Sequence, residues 1–206
     1  MSLVATLEAR NAARWKAMHV NAGRLETLHK RSIALCAADA KARYIAISQA
    51  VWKTADRWPF VAVVHEREAG GPPHWSCQLG QGDPLDRVSR HDPVGRGPFL
   101  NHDGDCPGND AFHRAALDAL IDCAPHAARW SDWSVGGVLT LLEEYNGLGY
   151  AERGVPSAYV WSGSNQYVSG KFIADHVYRA SAVDVQEGCA PLLACMKAID
   201  PSIVLV

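Results

Sequence analysis

The chain has 206 residues, 48% of them hydrophobic and 20% charged, and a formal net charge of -2 at pH 7. That length suits one well-buried domain, the composition is that of an ordinary soluble globular protein, and the small net charge gives no global attraction to nucleic acid. The first residues carry Glu8, Arg10 and Arg14 where a signal peptide would have its apolar core, and no apolar run reaches the length of a bilayer. The expectation is therefore a cytoplasmic protein without stable membrane insertion. Six cysteines (Cys36, Cys77, Cys106, Cys123, Cys189, Cys195) lie scattered without a CxxC pair, and in that setting they read as reduced thiols.

Leu3, Leu7, Ala13, Trp15 and Met18 recur among charged residues at helical spacing from about Ser2 to Gly23. A second helix is expected over about 39–56, where Tyr44, Ile45, Ile47, Ser48, Val51 and Trp52 form an apolar stripe. Pro59 then opens an apolar run, Phe60-Val61-Ala62-Val63-Val64, that ends in His65-Glu66-Arg67-Glu68-Ala69 and the pair Gly70-Gly71. Proline suits a first helical turn and glycine stops a helix, so this reads as a short buried helix with two glutamates in its last turn. A carboxyl at the edge of a core has its pKa raised by desolvation toward the range a general acid needs. Periodicity alone does not decide between Glu66 and Glu68.

From Gly71 to about Asp110 glycine, proline, aspartate and histidine dominate and apolar periodicity disappears, which marks either a wall lining a substrate site or a disordered insertion. Helical patterning returns over 110–123 and, more clearly, over Ser134–Asn146, where Gly147 provides the stop. Residues 154–171 concentrate Tyr159, Trp161 and Tyr167 with small polar residues, and a last helix is expected from about Val183 to Ile199. No internal repeat or linker interrupts the chain. The expected organisation is one domain over 1–206, with N-terminal helices to about residue 57 and a catalytic core over about 58–200.

Several chemistries are set aside on spacing. His65-Glu66 lacks the second histidine of a zincin, whose position is Ala69. Counted from Asp103, the acidic loop puts Gly108 at the glycine position of a calcium loop but Arg114 where the bidentate glutamate belongs. Neither a P-loop nor a G-x-S-x-G element occurs. Cys77 and Cys123 are possible thiols for a cysteine hydrolase, but neither has a recognisable setting. No metal and no cofactor is expected. Carbohydrate chemistry remains: it needs a buried glutamic acid, further acidic or amide groups and aromatic rings, and Glu66 or Glu68, Asp83, Glu143, Tyr145, Asn146 and the Tyr159–Tyr167 stretch could supply them.

The order of four motifs sharpens this. The helix ending His65-x-x-Glu68-Ala69-Gly70, then Gln81-Gly82-Asp83-Pro84-Leu85, then Leu142-Glu143-Glu144-Tyr145-Asn146-Gly147-Leu148-Gly149-Tyr150, then Ser157-Ala158-Tyr159-Val160-Trp161-Ser162-Gly163-Ser164-Asn165 resembles phage and prophage endolysin-type proteins of the lysozyme-like superfamily. More distantly it is similar to goose-type lysozymes and lytic transglycosylases. The resemblance covers roughly residues 35–195. It implies a mainly α, lysozyme-like helical domain with long irregular loops lining a cleft, acting on the glycan strands of peptidoglycan at the β-1,4 bond between N-acetylmuramic acid and N-acetylglucosamine.

It also maps the family's glutamate, followed by a small residue, onto Glu68 as general acid. Asp83 or Glu143 would be the second carboxylate, and Gln81, Tyr145, Asn146, Tyr159, Trp161 and Asn165 would bind the sugar chain. Ala69 departs from the serine common in the related enzymes. A lytic transglycosylase giving anhydro-muropeptides, a non-catalytic glycan-binding phage structural protein, and a metal- or thiol-dependent amidase or peptidase are the alternatives. A cytoplasmic muramidase would meet its substrate only after a pore or cell rupture released it, as in phage lysis.

Overall fold

The computed structural model describes residues 3–174 and 176–205. The protein is mainly helical. Among the described residues the α-helices are α1 (Leu3–Lys16), α2 (Leu25–Cys36), α3 (Ala38–Trp52), α4 (Trp58–Ala69), α5 (Ala111–Leu117), α6 (Val135–Tyr145), α7 (Gly149–Glu152), α8 (Ala158–Trp161) and α9 (Cys189–Ile199). One antiparallel pair, β1 (Lys171–Ala174) and β2 (Val177–Arg179), pairs Lys171 with Arg179 and Phe172 with Tyr178. No helix among the described residues is long and apolar enough to cross a membrane.

Two compact units divide the chain. One comprises residues 1–32 and 131–206, the other 33–130. The boundary expected near residue 57 falls inside the second unit, where α3 packs on α4.

In the first unit α1 lies along α6. The contact is close because α6 opens on glycine: a methyl at Gly136 would stand 2.6 Å from the Glu8 carbonyl oxygen and 3.2 Å from the Ala12 Cβ. Ser134 caps α6, its hydroxyl accepting from the Gly137 N–H at 3.2 Å, as its place before the apolar run predicts. Leu139, Leu141 and Leu142 are fully buried, as are Leu192, Leu193 and Met196 of α9. Each such side chain contributes about 1.5–3 kcal/mol of burial. Helix α9 starts at Cys189, six residues later than periodicity indicates, because 183–188 is held as irregular chain. The Ser162 hydroxyl donates to the Asp184 carbonyl at 2.9 Å, and Gly188 donates to the Ser162 carbonyl at 2.8 Å. A side chain at Gly188 would stand 2.6 Å from the Ser162 backbone, so the chain passes there only as glycine.

The β-hairpin, which periodicity did not reveal, packs Phe172 and Tyr178 edge-on against Tyr150 of α7 at centroid distances of 5.0 and 6.3 Å. Helix α2 was also not expected. Its buried positions are Leu28, Ser32 and Leu35, a stripe with a serine at its centre and too few apolar residues to stand out. Ser2, the expected start of the first helix, lies outside the described residues.

Replacing Gly136 by Ala should destabilise the protein. The methyl gains about 1 kcal/mol of helix propensity, but the atom it meets is a backbone oxygen that cannot swing aside. A net loss of about 1–3 kcal/mol, read as a lower urea midpoint at unchanged slope, is the expected result.

Candidate functional site

Helix α4 is buried along nearly its whole length: Trp58 through His65, and Arg67, are inside, with Pro59 in the first turn and Gly70 capping the end at φ 77°. Glu66 and Glu68 are both half-buried. The helix end is fixed by His65, which has no exposed surface. Its Nε2 lies 2.8 Å from the His74 carbonyl oxygen, so Nε2 carries the proton and donates it, and Nδ1 accepts from the Tyr44 hydroxyl at 2.8 Å. Trp75 and Phe112 close on the ring at centroid distances of 4.5 and 4.6 Å, and the Arg43 guanidinium sits 4.3 Å from the Trp75 centroid. Glu68 is thereby carried one turn beyond an imidazole held at both nitrogens.

The stretch from Gly71 to Asp110 is ordered by hydrogen bonds instead of regular secondary structure. Gln78 N–H donates to the Asp83 carbonyl at 2.6 Å, Leu85 to Ser76 at 2.9 Å and Phe99 to Leu85 at 2.7 Å. The buried Gln78 side chain donates to Arg87 at 2.8 Å. Arg96 pairs with Asp118, and Arg114 with Asp105 at 2.6 Å. The segment is therefore an ordered loop. The turn Gln81-Gly82-Asp83-Pro84 rests on the end of α4: a methyl at Gly82 would stand 2.7 Å from the Glu68 carbonyl oxygen. Two of the four motifs therefore meet at one place.

Asp83 is 8% exposed. One oxygen accepts from the Arg90 and His91 N–H groups at 2.9 and 3.1 Å, and the other faces His91 Nδ1 at 3.1 Å. Burial pushes this carboxyl up, but the two backbone donors and the His91 ring outweigh it and hold the pKa below its ordinary value. Asp83 is thus an anion committed to the 90–91 turn, and it orients a histidine whose side chain is 70% exposed. His91 was missed in the sequence because it lies eight positions along the loop from Asp83 and no local motif links them. Gln81 is half-buried and its amide approaches the Pro93 carbonyl at 3.4 Å.

In the other unit Glu143 has no exposed surface. It faces α1, where Asn11 Nδ2 donates to it at 3.3 Å and to Thr140 at 3.1 Å. Burial raises its pKa; Asn11, Arg14 and Arg10 pull the other way without cancelling the rise. A carboxylate so placed cannot touch a substrate, which corrects the assignment of Glu143 as a catalytic candidate. Tyr159 is 4% exposed and Trp161 not at all. All four residues of α8 are buried against α6 and α9, so these two rings offer no face to a sugar and belong to the core, another correction. Tyr145 is half-buried and Asn146 exposed at the end of α6. Asn165 is exposed, but its amide ties the end of α1, accepting from His19 N–H at 2.8 Å and donating to the Ala17 carbonyl at 3.0 Å.

A depression of about 430 Å³ in the 33–130 unit is lined by Trp75, Cys77, Leu85, Phe99, Asn101 and Ala111, among others. Glu68 is not in its lining. The Cys123 thiol is pushed up to about 11, first by burial and then by Asp118, to which it donates at 3.5 Å. It is protonated and hydrogen-bonded, the opposite of an activated nucleophile. Among the described residues no three His, Cys, Asp or Glu side chains are grouped to share a metal ion. No family model, curated protein or solved structure matches the chain.

Two outcomes follow from this geometry. Tyr44→Phe takes the donor away from a buried imidazole nitrogen and should cost about 1–3 kcal/mol, measured by chemical denaturation. Glu143 has a folded-state pKa above its unfolded value near 4.5, so it makes stability fall as pH rises from about 4.5 through the raised value, with no further change above. Glu143→Gln should remove that slope, gaining on the wild type across the window when unfolding midpoints are compared from pH 4 upward.

Proposed function

We propose that the protein cleaves peptidoglycan glycan strands, at the β-1,4 bond between N-acetylmuramic acid and N-acetylglucosamine, with Glu68 as general acid. The observation that carries this reading is the seating of the Gln81-Gly82-Asp83-Pro84 turn on the Glu68 carbonyl. It brings the first two motifs of the lysozyme-like resemblance into contact on a helix end anchored by His65. The other two motifs, on α6 and α8, also pack together. These two contacts, each within its own unit, support membership of the endolysin-type, lysozyme-like group, with glycan strands as partner.

Glu68 protonates the glycosidic oxygen as the bond to the anomeric carbon breaks. Gln81, in the 81–84 turn that rests on the end of α4, is the binding candidate in the same unit as Glu68, and its side chain is half-buried. An enzyme of this kind acts in lysis once it reaches the wall.

One observation favours a second reading. Asp83 spends both oxygens on the 90–91 turn and Glu143 is enclosed, so neither named carboxylate is open to serve as nucleophile. With Glu68 acting first as acid and then as base, the muramic 6-hydroxyl attacks and an anhydro end results, the outcome of a lytic transglycosylase.

Glu68→Gln should lower release of soluble fragments from purified peptidoglycan by about 10²–10⁴-fold at unchanged thermal midpoint, read by mass spectrometry. Fragments with cut stem peptides and intact glycan, or equal release by the variant, would sink the reading.

A further inference from the structure

Histidine 91 carries the feature that the assignments above leave unused. Its ring is 70% exposed while its partner carboxylate is 10% exposed. Asp83 is held ionised by its donors, so the tautomer of the neutral ring that this contact selects carries its proton on Nδ1, toward Asp83, and its lone pair on Nε2, on the side away from Asp83. A buried carboxylate that fixes the tautomer and direction of an open imidazole is how a basic nitrogen is aimed at a substrate proton.

The placement matters as much as the pairing. Asp83 directly follows Gly82, the residue in contact with the Glu68 carbonyl. The 89–96 loop that presents His91 is closed on itself: Ser89 N–H donates to the Arg96 carbonyl at 2.8 Å, Arg96 N–H to the Ser89 hydroxyl at 2.9 Å, and that hydroxyl to the Pro93 carbonyl at 2.8 Å. Arg96 is anchored in turn to Asp118. His91 is therefore presented by a braced loop tied to Asp83, the residue that follows Gly82 in the turn against the end of α4.

We propose that His91 is the catalytic base of the glycan-cleaving reaction, activating the attacking water, with Asp83 as its positioning residue. This rests on the glycan-strand reading above. The water oxygen bonds to the anomeric carbon as the glycosidic bond breaks. Glu68 gives its proton to the departing oxygen, which becomes the 4-hydroxyl of the next sugar, and the water's proton passes to His91 Nε2. The imidazolium returns that proton to the Glu68 carboxylate through solvent, restoring both groups. The reaction is a single displacement by water that inverts the anomeric carbon, and it gives Asp83 a role that its hydrogen bonds permit where that of nucleophile is blocked.

The test is digestion of purified peptidoglycan in ¹⁸O-water by the wild type, Glu68→Gln, His91→Gln and Asp83→Asn, with fragment masses, the anomer first formed, and kcat/KM against pH. The expected result is one ¹⁸O at each new reducing end of inverted configuration. His91→Gln should lose at least about 100-fold in rate together with the acid-side limb of the pH profile, and Asp83→Asn should shift that limb. Because His91 is exposed, its variant keeps the wild-type thermal midpoint. Anhydro ends, a retained anomer, or a His91→Gln enzyme with wild-type rate and limb would overturn the base assignment while leaving glycan cleavage by Glu68 standing. No glycan fragments from the wild type would overturn both.

Discussion

A buried imidazole with both nitrogens occupied is the constraint on which the 33–130 unit depends. His65 has no access to water, so each nitrogen must find a protein partner, and leaving one without would cost about 1–3 kcal/mol. Tyr44 supplies one from α3 and the His74 carbonyl supplies the other from just beyond α4. Satisfying that ring fixes the spacing of α3 and α4 and the direction in which the chain leaves the helix. Trp75 and Phe112 are then drawn over the same ring, which brings the start of α5 back to the beginning of the loop.

The loop that follows is stable for a related reason. Forty residues rich in glycine and proline cannot form a helix, and their backbone groups still require partners. Side chains provide them: Gln78 for Arg87, Asp83 for the 90–91 turn, Ser89 for the crossing near Arg96, and Asn101 for the first N–H of α5. Polar residues that look like surface punctuation in the sequence serve here as internal ties. Asp83 does both things at once, closing a turn and turning a histidine outward.

In the other unit polarity is used differently. Glu143 and Asn11 meet inside the contact of α1 and α6 with Arg10 and Arg14 close by, a buried polar group that costs stability at neutral pH while setting which faces of the two helices meet. In the same unit Tyr159 and Trp161 of α8 are core, and the half-buried Phe172 and Tyr178 bind the hairpin to Tyr150 of α7.

Local sequence by itself determined the helices with strong apolar periodicity or clear punctuation. Helix α4 opens near Pro59 and stops at Gly70, α6 starts from Ser134, and the absence of periodicity over 71–110 is a true absence of regular structure, because each of these depends on residues adjacent in the chain. That the end of α4 brings its glutamates to the edge of the core was legible too, since an apolar run that stops at charged residues must surface there. What tertiary structure alone decided are the facts that depend on distant partners: that Trp161 is enclosed, that Glu143 turns toward Asn11, that 183–188 is tied to Ser162 and stays out of the helix, and that Asp83 faces His91. Burial and hydrogen-bond pairing are properties of neighbours brought together in space, and no periodicity along the chain records them.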